Sequence, residues 1–306
     1  MERKPIHLLS VGDVLAEDLF MGKKRIFNKG TVLTLYDYLT LINYGFTYIH
    51  VLENPKKTLH HEDKAVKLPE RDSQSLFEEL YCQFMESSTI KGRYCKILDG
   101  EEERHSIEEL FRQLLDHPFI PTMLTALKTW DFYSFGHSMD VFILGTQWLK
   151  QLDVSDSLME IATGFLLHDI GKIKIPQQIL QKPGKLSKKE FDIVKTHVLH
   201  GEQLLKYAGF SQIIREMALY HHKTLDYTGY PEEGKPEKTL RVEIKVLTII
   251  DVFSALTLER PYRKAFTMEK ALEIMHRDQK KFEPDLFHKF YSFIRLQDNR
   301  SPSFLL

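Results

Sequence analysis

Hydrophobic and polar positions change rhythm along the chain. Over residues 1–52 the apolar positions come in short alternating runs. VGDVLAEDLF and KRIFNKGTVL read as strands turning near Gly22 and Gly30, and TYIHVL as a further strand. Thr34 and Asp37 have capping-box spacing, which predicts a helix through Tyr44 closed by Gly45. Residues 53–73 are polar and hold two prolines, so they read as a linker or surface excursion. From residue 74 the spacing is helical nearly to the end. Ser106/Glu109, Ser157/Glu160 and Ser187/Glu190 offer further capping boxes, and DYTGYPEEGKPEKTL (226–240) is an irregular loop. The predicted fold is mainly α: a helical domain over 74–306 behind a small α/β unit.

Polar residues interrupt several apolar helical faces. The stripe Ile161–Phe165 runs on to His168 and Asp169; His137 shares a face with Val141, Leu144 and Trp148. His197 sits between Val194 and Gly201, His221 follows Ile214, Met217 and Ala218, and His222 lies one position round. Asp251 is the sole charge in VLTIIDVFSAL. One such histidine is usually a core residue bonded to a carbonyl. Five histidines and two aspartates, spread over five helices, ask for a shared partner. Asp169 also stands at a helix C-terminus, where the macrodipole disfavours negative charge by roughly 0.3–1 kcal/mol. A nearby cation resolves both problems.

If Asp169 bridges two ions, one takes His137, His168, Asp169 and Asp251, and the other Asp169, His197, His221 and His222. A hydroxide between them would leave each ion one open position, an arrangement suited to a phosphodiester. Imidazole and carboxylate ligands suit iron, manganese or zinc, and no thiolate favours a structural zinc site.

Composition narrows the rest. The 306 residues carry a formal net charge of −1, so no global field draws in a nucleic-acid polymer or an acidic membrane. The two cysteines, Cys82 and Cys95, form no CxxC pair. No signal peptide or membrane-length apolar run appears, and a cytoplasmic protein is expected.

Several motifs carry a family resemblance. WDFYSFGHS (130–138), HDIGK (168–172), IPQQILQKPGKLSKKEF (175–191), His197, the pair 221–222, DYTGYP (226–231) and DVFSALTLERPYRKA (251–265) resemble the HD-GYP subfamily of HD phosphohydrolases. The resemblance spans about residues 130–276. It implies an all-helical domain and a metal-dependent phosphodiesterase that converts cyclic di-GMP to pGpG or GMP, with iron the first expectation for its two metals. It carries the metal ligands to the same seven residues. It makes Lys172 the lysine that contacts the scissile phosphate and helps protonate the leaving oxygen. It places Arg260, Arg263 and Lys264 in a basic group for phosphate or guanine, and Tyr230 at the pocket mouth, either stacking on a base or serving as a plain turn.

The chain departs from the pattern at four places. Tyr133 stands where some members add a glutamate for a third metal, so two metals are expected. Lys223 replaces the usual glutamate after the histidine pair, Tyr227 a glycine, and Ser254 a common carboxylate. Two other readings therefore stay open: a degenerate receptor for cyclic di-GMP or a protein partner, and a phosphohydrolase for another nucleotide. HHED (60–63) reads as solvated charge, and His200 as a surface or supporting residue. The N-terminal unit is expected to sense, dock or self-associate.

Overall fold

Strand β1 (Glu2–Pro5) pairs antiparallel with β4 (Tyr48–Val51), and β2 (Leu19–Met21) with β3 (Lys24–Phe27). The computed structural model describes residues 1–53, 73–86, 98, 100–152, 157–234, 240–259 and 263–299. Most of the expected linker (54–72), the HHED stretch and Arg260 lie outside these residues. Between β3 and β4 runs α1 (Leu35–Asn43), opened by the Thr34–Asp37 capping box and followed by Gly45 at φ +76.

The helical part starts with α2 (Ser73–Phe77), which passes through a π turn (Glu78–Cys82) into α3 (Gln83–Glu86). Then come α4 (Glu101–Leu115), α5 (Ile120–Trp130), α6 (Phe132–Leu149) and α7 (Leu158–Leu167). A 3-10 turn (Ile170–Lys174) leads to α8 (Gln177–Leu180), α9 (Lys188–Lys195), α10 (His197–Tyr207) and α11 (Gln212–Tyr220). The last three are α12 (Val242–Thr257), α13 (Met268–Arg277) and α14 (Pro284–Asn299). Among the described residues no helix is long and apolar enough to cross a membrane.

Helix α6 is the centre of the packing. It is buried nearly all round, and α7 and α12 lie against it. Gly145 of α6 lets the Phe165 ring of α7 come close; a Cβ there would stand 2.6 Å from that ring. Helix α11 packs on α7, and α10 packs on α11 and the 3-10 turn. The N-terminal unit docks through α1 on α5, and its apolar residues Ile6, Leu39 and Ile42 join the same continuous core as the helices.

The capping boxes at Thr34 and Ser187 form, whereas Ser157 caps α7 without a side-chain bond. Ser106 does not open a helix. It lies inside α4, which starts at Glu101, where three consecutive glutamates meet the positive end of the helix dipole.

Candidate metal centre

The residues singled out on apolar faces come from helix ends and middles that meet at one point. His137 projects from the second turn of α6. His168 caps α7 and Asp169 follows it; His197 begins α10; His221 caps α11 with His222 next; Asp251 sits inside α12. Gly171 makes the meeting possible. A Cβ on it would overlap the backbone oxygen of His197, so only glycine lets the turn after Asp169 press onto the start of α10.

Three sets of ligand atoms each lie within 4.8 Å: His137, His168 and Asp251; His197, His221 and His222; and His168, Asp169 and His221. Asp169 stands between the first two sets. Its Oδ2 is 3.5 Å from His168 Nε2 and 3.8 Å from His137 Nε2. Its Oδ1 is 3.2 Å from His197 Nε2 and 3.9 Å from His221 Nε2. Asp251 Oδ1 is 2.8 Å from His137 Nε2, and its Oδ2 is 3.4 Å from His222 Nδ1.

Local hydrogen bonds fix the tautomers. His168, His197 and His221 donate from Nδ1 to the backbone oxygens of Phe165, Val194 and Ala218, at 2.8, 2.7 and 2.9 Å. A carbonyl can only accept, so in each neutral ring Nε2 keeps its lone pair. The His197 and His221 Nε2 atoms nevertheless face each other at 3.3 Å. His168 Nε2 and Asp169 Oδ1 are buried with no hydrogen-bond partner. Lone pairs aimed at lone pairs in a dry site are costly without a cation, and the donor set of imidazoles and carboxylates fits divalent metal ions.

Protonation states agree with that reading. Burial holds the His168 and His221 imidazoles below their ordinary value and pulls His222 down to about 3. Burial alone would raise the Asp169 carboxyl, but Lys172 and His168 outweigh it and hold it well below the carboxylate range. Asp251 is likewise held low by His222 and His137 against its burial. Neutral imidazoles and ionised carboxylates are the forms that bind metal.

Lys172 Nζ lies 2.5 Å from Asp169 Oδ2, at the edge of the cluster. The Tyr230 ring covers His222, with centroids 4.6 Å apart, and meets Phe191 edge-on at 6.3 Å. Tyr230 follows the loop position Tyr227, which has φ +60 and a side chain 71% exposed. The Arg263 guanidinium donates to the oxygens of Leu256 and Ala255 at the end of α12 and stacks on Phe266. Lys264 is exposed.

Two supporting residues were visible in the sequence only as departures. Ser254 Oγ lies 2.9 Å from His137 Nδ1, and the Tyr133 ring stacks parallel to that imidazole at 6.2 Å.

The family model for the HD domain matches residues 146–286, a span that begins within α6 just past His137. Residues 146–286 are similar in sequence to HD domains. Relatives extend the likeness. A cyclic di-GMP phosphodiesterase of Pseudomonas aeruginosa is 34% identical over 201 residues, 65% of this chain and 48% of that protein. A 3'3'-cGAMP-specific phosphodiesterase of Vibrio cholerae is 41% identical over 47% of this chain and 31% of its own length. A cyclic di-GMP phosphodiesterase response regulator of Xanthomonas campestris is 39% identical over 42% of this chain and 34% of its own. The chain thus spans less than half the length of each of these relatives. Within the HD domain lie all the ligand positions except His137, together with the DYTGYP loop.

Proposed function

We propose that this chain is a metal-dependent phosphodiesterase of the HD-GYP type that opens cyclic di-GMP to pGpG and carries it on to GMP. The observation that carries the reading is Asp169, whose two oxygens face two separate groups of imidazoles. His137, His168, Asp169 and Asp251 would hold one divalent ion, and Asp169, His197, His221 and His222 the other. Iron is the first expectation, with manganese or zinc as alternatives. Bound there, the ions would supply Lewis acidity toward phosphate oxygens and a water of lowered pKa.

The side chains do the rest. Burial would lower the Lys172 ammonium, but Asp169 outweighs it and raises it above its ordinary value, so the group is charged and gives its proton only to a strongly basic oxygen such as a leaving alkoxide. As a hydroxide oxygen, its other proton already released to solvent, bonds to phosphorus and the bond from phosphorus to the ribose oxygen breaks, Lys172 would pass its proton to that leaving oxygen and regain one from solvent. Tyr230, set on His222, forms one wall of the approach. The named relatives support a cyclic dinucleotide as substrate and divide between cyclic di-GMP and cGAMP.

The test is turnover by protein loaded anaerobically with iron or manganese, against a panel of cyclic di-GMP, 3'3'-cGAMP and linear dinucleotides. Lys172→Met is expected to lower turnover about 10²–10⁴-fold with metal content unchanged. Asp169→Asn is expected to lose metal and activity together. A loaded wild type no faster than Asp169→Asn on every substrate overturns the reading. Preference for cGAMP keeps the chemistry and changes the substrate.

A second reading has one specific observation in its favour: Tyr227 keeps a bulky side chain at a backbone conformation suited to glycine, in the loop that bears Tyr230. Tight binding of cyclic di-GMP with no product would make the chain a receptor.

A further inference from the structure

The 3-10 turn Ile170–Lys174 starts beside Asp169 and carries Lys172. At its two ends Lys172 N donates to Asp169 O at 2.9 Å, and Ile175 N to Lys172 O at 3.0 Å. A single turn of this kind does not set its own orientation. Its neighbours do. Gly171 abuts α10. Trp130 at the end of α5 donates from Nε1 to Ile175 O at 2.8 Å, and Gln177 Nε2 returns a bond to Trp130 O at 2.8 Å.

The third grip comes from the N-terminal unit. Lys174 Nζ donates to Leu9 O and sits 3.8 Å over the centre of the Tyr38 ring. Tyr38 Oη, on the buried face of α1, donates to Ile173 O at 3.4 Å. Lys172 and Lys174 are two residues apart on a turn of three residues per revolution, so they leave it in different directions. One reaches Asp169 and the other the N-terminal unit. A methionine or leucine at 174 would fill similar space without desolvating an ammonium. What the lysine adds is a directional donor to Leu9 O and an amine end packed on the Tyr38 ring, which together fix how the turn is rotated.

We propose that Lys174 and Tyr38 are positioning residues, through which the N-terminal unit sets the place of the Lys172 ammonium against Asp169. The unit is then part of the frame of the metal centre. The proposal rests on the hydrolytic reading for its effect on rate, but its structural half stands apart from it.

The test uses the full chain, metal-loaded, with Lys174→Met, Tyr38→Phe, Lys172→Met and the double variant Lys172→Met/Lys174→Met. Arg25→Ala, which removes a surface pair with Asp18 on the far hairpin of the same unit, is the control. Lys174→Met is expected to lower kcat about 10- to 100-fold, the scale of a small misplacement of a reacting group. KM should stay within about twofold and metal content should not change. In the Lys172→Met background the further loss should vanish, because the two residues act as one unit. Amide hydrogen exchange at Lys172 and Ile175 should quicken in Lys174→Met and stay unchanged in Arg25→Ala.

Losses that multiply in the double variant, or a Lys174→Met enzyme with kcat within about twofold of wild type, overturn the proposal. If wild type turns over nothing, the hydrolytic reading fails by itself, and exchange decides. Unchanged exchange over 170–176 overturns the latch; faster exchange there supports it. If Lys174→Met does not fold, Tyr38→Phe carries the same comparisons.

Discussion

Asp169 shows how one side chain can be expensive and indispensable together. Its carboxylate is 1% exposed, sits past the end of α7 and is flanked by imidazoles whose Nε2 atoms keep their lone pairs. Lys172 offsets part of that cost, and metal would offset the rest. The seven clustered positions were legible because each breaks an apolar face, a signal that survives without knowing the fold. What the sequence hid was the support behind them. The carbonyls of Phe165, Val194 and Ala218 are chosen by side-chain rotamers, which no spacing reveals. Arg263 has a contact no spacing reveals: its guanidinium donates to two backbone oxygens at the end of α12. Ser254 belongs to the hidden support. Removing its hydroxyl in Ser254→Ala should weaken metal binding about 10- to 100-fold, as loss of a group that orients a ligand does. Competition with a calibrated chelator measures it.

At the scale of elements, the site depends on a close approach more than on any contact made by a side chain. Gly171→Ala would force the 3-10 turn away from the first residue of α10, where His197 resides. A loss of about 3 kcal/mol is expected from such overpacking, with metal content falling as His197 parts from Asp169. Urea unfolding and elemental analysis read the two effects. Helix α9 makes a separate prediction. Bonds from Lys182 and from the Ser187 amide hold the Glu190 carboxyl at about 2, below its ordinary 4.5. The folded value is depressed, so its contribution is present above about pH 4.5 and is lost as pH falls toward 2. Glu190→Gln should flatten that part of the acid unfolding curve. The Ser187 box was readable because Ser and Glu frame an amphipathic helix there. The matching letters at Ser106 misled because the acidic run before them starts the helix nearly two turns earlier.

For the molecule as a whole, the passage from an N-terminal segment with strands to a run of helices was legible from the change of period. Their docking was not, since Tyr38, Trp130 and Lys174 are ordinary residues in ordinary runs until the fold brings them together. Burial across the assembled centre is uneven. Six of the seven candidate ligands are at most 5% exposed, whereas the His222 side chain is 25% exposed beneath the Tyr230 ring. A bound ion's way in and out would then run along that one edge, with the Tyr230 ring as a shutter across it. Trimming that shutter in Tyr230→Ala should shorten the residence time of bound metal, seen as faster stripping by an excess of chelator in stopped flow, while the equilibrium constant moves little. The same narrow passage would make loading slow, so that a freshly made chain acquires its ions on the timescale of a side chain swinging aside instead of that of diffusion.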